Sequence, residues 1–130
     1  MKKIMTIFLV LLPMVGLMWN TACKAGEGFD IQDGVWLFTL TDSENSESYF
    51  TYGFHGSKNS GEVSWEGYDI GIYTVSRNRL IINVIHFTTE GDLYPYSYQG
   101  TFESKNRITG TYTRQDPEGA TLSGTFEAYY

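Results

Sequence analysis

The feature that most constrains the fold of this chain is a two-residue periodicity that recurs from Gly34 onward. Apolar and aromatic residues alternate with polar ones in successive segments, and no stretch keeps a 3.6-residue apolar period. Val, Ile, Thr, Tyr, Phe and Trp dominate, as strands prefer. Short turn-forming connections between the segments favour antiparallel hairpins. The sequence therefore predicts an all-β domain with eight strands, at roughly 34–41, 48–55, 61–66, 68–76, 79–88, 94–103, 107–114 and 120–129.

Five of the segments contain a Gly-x-aromatic tripeptide. These are Gly34-Val35-Trp36, Gly71-Ile72-Tyr73, Gly100-Thr101-Phe102, Gly110-Thr111-Tyr112 and Gly124-Thr125-Phe126. Residues two apart in a strand share a face, so each tripeptide places a glycine beside a ring on one surface. Glycine normally weakens a strand, and its repeated use on the apolar face favours a tightly coiled, closed sheet. We therefore predict a small eight-stranded antiparallel up-and-down barrel over residues 34–130, with an open β-sandwich as the alternative.

The first 22 residues differ in character from the rest of the chain. Lys2 and Lys3 precede an apolar run from Ile4 to Trp19. This run is shorter than the roughly 20 residues of a membrane-spanning helix, and Pro13 interrupts it. A basic start, a short apolar stretch and then small residues are typical of a secretory signal peptide. We predict a signal peptide over residues 1–22, with a single-span anchor as the alternative.

Cys23, the only cysteine, follows this segment directly. Thr21-Ala22-Cys23 resembles the end of a bacterial lipoprotein box, although Asn20 stands where an apolar residue is usual, and processing without lipidation is the alternative. The resemblance implies that Cys23 is lipidated and anchors the protein to a membrane. Residues 23–33 would then form the lipidated N-terminus and a linker to the barrel. Lys24 resembles the sorting context of outer-membrane lipoproteins, which implies a bacterial cell envelope location, facing the periplasm or the surface.

Composition excludes several functional classes. A chain of 130 residues holds one compact domain, and 9 Lys+Arg against 15 Asp+Glu argue against a nucleic-acid partner. The two histidines, His55 and His86, and one cysteine form no recognisable zinc pattern, and the acidic turn 42–47 lacks the spacing of a calcium loop. Gly-x-Ser-x-Gly, Ser-x-x-Lys and phosphate-binding glycine loops do not occur. We predict a non-catalytic protein without metal or cofactor, in which His55 is a solvated residue beside the Gly56 turn.

Gly34-Val35-Trp36 resembles the Gly-x-Trp tripeptide that opens lipocalins and related calycin barrels. The resemblance covers this tripeptide and the predicted architecture. It implies an eight-stranded barrel in which Trp36 closes one end. It also implies that an arginine from a late strand covers this tryptophan, a part that Arg114 would take here.

Five tyrosines lie in phase with apolar neighbours on the inward face. They are Tyr52, Tyr73, Tyr96, Tyr98 and Tyr112. A buried phenol seeks a hydrogen-bond partner, and apolar walls with a few polar groups are typical of a ligand cavity. His86 ends an apolar face, and we expect it to orient a polar group of the ligand. The sequence thus predicts that a small apolar or aromatic molecule binds in the barrel interior, with Trp36 closing one end.

Two alternatives use the same aromatic residues. In the first, the rings simply fill the core and no small molecule binds. In the second, residues 94–98, Trp65, Tyr129 and Tyr130 form an exposed patch that contacts a protein or carbohydrate partner. Burial of Tyr96 and Tyr98 would favour the interior site over the exposed patch.

Overall fold

The computed structural model describes residues 31, 33–57 and 59–130. The predicted signal peptide, Cys23 and most of the 23–33 linker lie outside the described residues. The eight strands are β1 (Gly34–Asp42), β2 (Glu47–Gly56), β3 (Ser60–Trp65), β4 (Tyr68–Ser76), β5 (Arg79–Phe87), β6 (Leu93–Ser104), β7 (Arg107–Gln115) and β8 (Thr121–Tyr129). No part of the described chain forms a helix of the length and apolarity needed to cross a membrane.

The strands form one closed antiparallel barrel. Each strand pairs with the next along the chain, and β8 pairs with β1, where Leu40 lies opposite Phe126 and Phe38 opposite Ala128. The predicted up-and-down barrel is confirmed, and every predicted strand begins and ends within one residue of the observed one. The β-sandwich alternative is wrong because the β1–β8 pairing leaves the sheet without an edge.

Inward-facing glycines allow neighbouring strands to approach each other closely. A Cβ atom on Gly110 would lie 2.0 Å from the carbonyl oxygen of Gln99, and one on Gly124 would lie 2.1 Å from that of Thr41. Four of the five Gly-x-aromatic glycines thus lie on the inward face, as predicted; the residues are Gly71, Gly100, Gly110 and Gly124. Gly34 is different, because it is exposed at the start of β1 and has a φ of +127°.

The inward faces of all eight strands make one hydrophobic core. In β5, for example, Leu80, Ile82 and Val84 are buried, whereas the residues between them are exposed. The core also contains Ile31, which is only 5% exposed although it lies within the predicted linker. Packing against the barrel therefore begins before β1.

The barrel has two ends of opposite charge. The loops β1–β2, β3–β4, β5–β6 and β7–β8 lie at one end, here called the His86 end, and each carries at least one acidic residue and no Lys or Arg. These acidic residues are Glu44, Glu66, Glu90, Asp92, Asp116 and Glu118. At the opposite Trp36 end, the 77–78 and 105–106 loops each carry a cation instead, Arg77 and Lys105. The loops therefore place negative charge at the His86 end, whereas the 77–78 and 105–106 loops place positive charge at the other end.

Candidate functional site

Three buried polar side chains form a hydrogen-bonded chain inside the barrel. The Tyr52 hydroxyl lies 2.6 Å from His86 Nε2 and 2.6 Å from the Tyr98 hydroxyl. The residues come from β2, β5 and β6, and the alternation of each strand turns them inward. Tyr52 and Tyr98 are fully buried, and His86 is 5% exposed. Tyr52 is the hub of this chain, because its hydroxyl contacts both of the other groups.

Three aromatic rings surround the His86 imidazole. Its ring centroid lies 4.3 Å from that of Trp65, 4.5 Å from Phe50 and 4.7 Å from Tyr96. Burial among these rings lowers the pKa of His86 to about 4, so the imidazole is neutral at pH 7. Burial likewise raises the pKa values of Tyr52 and Tyr98. The site therefore offers neutral hydrogen-bonding groups behind an aromatic layer, and none of these three groups is poised for acid–base exchange near neutral pH.

Arg114 and a set of stacked tyrosines complete this end of the barrel. The ring centroids of Tyr96, Tyr98 and Tyr112 lie 6.0 to 6.3 Å from one another. The guanidinium of Arg114 lies 5.6 Å from the centroid of Tyr94, and its Nε is buried without a hydrogen-bond partner. Burial raises the pKa of Tyr96, and Arg114 partly offsets the rise. The expectation that Arg114 covers Trp36 is wrong, because Arg114 pairs with Tyr96 in the register and lies at the His86 end.

Trp36 and Tyr73 lie at the other end and do not join this cluster. Trp36 is fully buried, with its ring 5.4 Å from Tyr130 and 6.5 Å from Phe54. The Tyr130 hydroxyl donates a hydrogen bond of 3.0 Å to the Asp33 carbonyl, and that of Tyr73 donates one of 3.0 Å to the Ser57 carbonyl. Of the seven predicted ligand-binding residues, the structure therefore brings together Tyr52, His86, Tyr96, Tyr98 and Tyr112 and separates Trp36 and Tyr73 from them.

Side chains fill the middle of the barrel. Phe38 packs against Tyr52, Tyr98 and Phe126 at centroid distances of 4.9 to 5.3 Å. A ligand therefore has most access to the interior at the His86 end, where Phe50, Trp65 and Tyr94 are only partly buried. The exposed-patch alternative is wrong as stated, because Tyr96 is 8% exposed, Tyr98 is fully buried, and Tyr129 and Tyr130 lie at the end opposite Trp65.

A pocket at the rim of the His86 end was not predicted from the sequence. It has a volume of about 250 Å³ and is lined by Trp65, Glu66, Tyr68, Phe87, Thr88 and Thr89. Trp65 was predicted as part of an exposed patch, but Tyr68 and Phe87, which point outward in their strands, were not assigned to any site. The charges of the loops could have indicated that this end of the barrel is acidic, since acidic and basic loops alternate along the chain.

His55, Glu62 and Asp69 form the cluster whose donor atoms are close enough to hold a metal ion. His55 Nε2 lies 3.2 Å from a carboxylate oxygen of Glu62 and 3.2 Å from one of Asp69, and all three side chains are exposed. His55 is thus exposed beside Gly56, as predicted, although it lies in β2 rather than in a loop. Sequence spacing conceals the cluster, because only the pairing of β2, β3 and β4 brings the three residues together. Distances of 3.2 Å are ordinary for hydrogen bonds between exposed side chains and do not by themselves indicate a metal ion.

The fold and the site together define a class of protein. It is a closed eight-stranded barrel in which an aromatic layer covers a buried hydrogen-bonded chain. No protein-family model matches the chain, and no curated protein matches its sequence. The fold is similar to that of EF1p2_mFAP2b, solved bound to DFHBI, at a TM-score of 0.60 and 18% identity over 75% of this chain and 91% of the other. It is also similar to a redesigned β-barrel, b11L5F_LGL, at a TM-score of 0.50 and 18% identity over 72% and 88%. At these identities the likeness concerns the fold, and the lipocalin resemblance stays a prediction.

Proposed function

We propose that this barrel is a non-catalytic binding protein for a small aromatic molecule, which it takes up at the His86 end. The observation that carries the proposal is the hydrogen-bonded chain of His86, Tyr52 and Tyr98 behind a layer of partly buried rings. Rings offer stacking surface, and neutral polar groups offer orientation without a charged centre. The similar barrel EF1p2_mFAP2b, which was solved with the small aromatic dye DFHBI, supports this choice of ligand class.

A ligand at this site would displace rings rather than occupy an empty interior. Phe50 and Trp65 are partly buried, and their centroids lie 6.3 Å apart in an edge-to-face arrangement. A planar molecule inserted between them would replace ring-to-ring contacts with similar ones and bring a polar edge toward His86 Nε2. The buried His86 imidazole and Tyr52 phenol would then share a hydrogen bond with the ligand.

The test is a titration of the full-length protein with DFHBI, alongside native mass spectrometry of protein purified from its own cells. We expect saturable DFHBI binding or a retained small molecule. We also expect Trp65→Ala, and separately His86→Gln, to weaken DFHBI binding roughly tenfold, since each removes a major contact. Tyr49→Phe, a change at an exposed tyrosine, serves as the control and leaves binding unchanged. The absence of both a retained molecule and saturable binding would overturn the proposal in favour of a filled core.

We also propose that the barrel is exported and held at a bacterial envelope membrane by lipid on Cys23. This rests on the sequence of residues 1–24, and the acidic loops support it indirectly, because an acidic domain has little attraction of its own for anionic lipids. Cys23→Ser should release the protein from the membrane fraction. Unchanged retention of the variant would contradict lipid anchoring.

A further inference from the structure

Three aromatic side chains, Trp65, Tyr68 and Phe87, line the rim pocket at the His86 end. The Tyr68 and Phe87 centroids lie 5.7 Å apart with the ring planes at 77°, and those of Trp65 and Phe87 lie 6.3 Å apart at 83°. In each of these edge-to-face contacts, the ring that presents its edge keeps both of its own faces clear of that partner. The volume of about 250 Å³ is below the roughly 300–1,000 Å³ of sites for drug-sized molecules and suits a compact head group.

Both the rings and the rim of this pocket favour positive charge. The face of an aromatic ring is electronegative and attracts a cation within about 6 Å of its centre. Glu66 adds a carboxylate to the lining, and Thr88 and Thr89 add hydroxyl groups. Glu66 has a φ of +51° and Gly67 one of +86°, so a tight turn with two left-handed residues connects β3 to β4 directly after Trp65.

The charge of the whole His86 end acts in the same direction. All four loops there are acidic, so the field at the rim attracts cations and repels anions. Among the described residues, Arg114 is the cation at this end, and it lies against Tyr94 and is not part of the pocket lining. The Glu66 carboxylate would repel an anionic occupant and would add nothing to the binding of an uncharged apolar one.

We propose that this pocket binds the head group of an organic ammonium ion, with the rings of Trp65, Tyr68 and Phe87 as its walls and Glu66 as its counter-charge. A bare divalent metal ion fits less well, because a single carboxylate supplies too few oxygen ligands. The pocket lies beside the proposed aromatic site and shares only Trp65 with it, so this proposal does not depend on the one above.

The test is an NMR titration of the ¹⁵N-labelled full-length protein with tetramethylammonium chloride at constant ionic strength. Uncharged tert-butanol, which has a similar shape, serves as the matched probe. We expect saturable shifts of the Trp65 indole and of the Thr88 and Thr89 amides with the ammonium ion. With tert-butanol we expect binding at least about fivefold weaker, since the cation–π attraction is missing.

Variants at the exposed positions separate charge from shape. Glu66→Gln should weaken tetramethylammonium binding roughly threefold, as the loss of an exposed ion pair would. Phe87→Leu keeps apolar volume and should weaken it about fivefold through loss of a ring face. Glu118→Gln removes the same charge from the β7–β8 loop at the same end of the barrel, outside the pocket lining, and should change the affinity far less.

Three results would overturn the ammonium proposal. They are the absence of saturable shifts, equal affinities for tetramethylammonium and tert-butanol, and an effect of Glu118→Gln as large as that of Glu66→Gln. None of these results bears on DFHBI binding, because Glu66, Phe87 and Glu118 are not among the residues assigned to the aromatic site.

Discussion

At the scale of the residue, the unusual feature of this barrel is the amount of hydrogen-bonding capacity placed in a ring-filled core. Tyr52 joins His86 and Tyr98, so one hydroxyl satisfies two other buried polar groups. Leaving a buried donor or acceptor unpaired costs more free energy than a hydrogen bond contributes. The stability of this region therefore depends unequally on the two tyrosines.

Tyr52→Phe should destabilise the protein more than Tyr98→Phe. Removing the Tyr52 hydroxyl leaves both His86 Nε2 and the Tyr98 hydroxyl without this partner, and we expect a loss of about 2–3 kcal/mol. Removing the Tyr98 hydroxyl leaves Tyr52 paired with His86, and we expect about 1 kcal/mol. Urea unfolding measures both, with the exposed Tyr49→Phe as control. Equal losses, or a larger loss for Tyr98→Phe, would show that Tyr52 is not the hub.

His86 should make the protein less stable in mild acid. Burial lowers the pKa of His86 to about 4, from 6.5 in an unfolded chain. Between these two values the unfolded state binds more protons than the folded one, so stability falls as the pH falls from about 6.5 to 4. The contribution of His86 over this interval is about 3 kcal/mol.

His86→Gln isolates that contribution from the carboxylates. The wild type and the variant share every other titrating group, so their unfolding free energies should converge as the pH is lowered from 7 to about 4.5. Urea unfolding at both pH values gives the comparison. Parallel pH profiles would mean that the histidine is not buried in its neutral form.

Residue parity determines which parts of the site the sequence could predict. Alternation placed Tyr52, Tyr96, Tyr98, Tyr112 and His86 on the inward face, and all five are buried. Parity gives the face of a strand but not the height along the barrel axis. Trp36 and Tyr73 share that face yet lie at the other end, and Arg114 lies far from the Trp36 that it was expected to cover. In an up-and-down barrel the end at which a residue lies follows from its position along its strand: Trp36 is near the start of β1 and Arg114 near the end of β7, so the two lie at opposite ends.

At the scale of the element, glycine positions control how closely neighbouring strands approach. Gly100 and Gly110 lie opposite one another in the β6–β7 pair, and Gly124 of β8 lies opposite Tyr112. The missing side chains let the ring from an adjacent strand occupy the space over the backbone. Phe126 lies over this region, because its Cζ would meet a Cβ on Gly100 at 2.8 Å. The sequence predicted this use of glycine correctly, since small residues repeated on an apolar face favour close approach of neighbouring strands.

Gly110→Ala should destabilise the barrel strongly. The new Cβ would lie 2.0 Å from the Gln99 carbonyl oxygen and 2.6 Å from the Gly100 Cα, so β6 and β7 must separate. Overpacking of this kind typically costs about 1–3 kcal/mol, and because backbone atoms must move we expect the upper part of that range. Thr111→Ala, on the outward side of the same strand, is the matched control and should cost less than about 1 kcal/mol. Thermal unfolding followed by circular dichroism makes the comparison, and equal effects would contradict a steric role for Gly110.

At the scale of the whole molecule, the up-and-down topology turns an alternation along the chain into a polarity in space. The loops that follow odd-numbered strands lie at the His86 end, and those that follow even-numbered strands lie at the Trp36 end. Because acidic and basic loops alternate along the chain, the acidic loops gather at one end of the barrel and the basic loops at the other. This property could be predicted from the sequence only after the topology was known. The rim pocket could not, because outward-facing rings of different strands meet there only through the turn at Glu66 and the pairing of β4 with β5.

Closure also predicts that the barrel unfolds as one unit. Thr125 lies between two partners, opposite Thr41 of β1 and Thr111 of β7, so no edge is available to absorb a defect in β8. Proline at this position lacks the amide hydrogen that a central strand uses and should cost about 3 kcal/mol or more. We therefore expect Thr125→Pro to abolish the β-sheet circular dichroism and the buried-tryptophan fluorescence together, whereas Thr125→Ala should preserve both. Loss of one signal without the other would show that the two ends of the barrel unfold separately, which a sheet closed by the β1–β8 pairing should not allow.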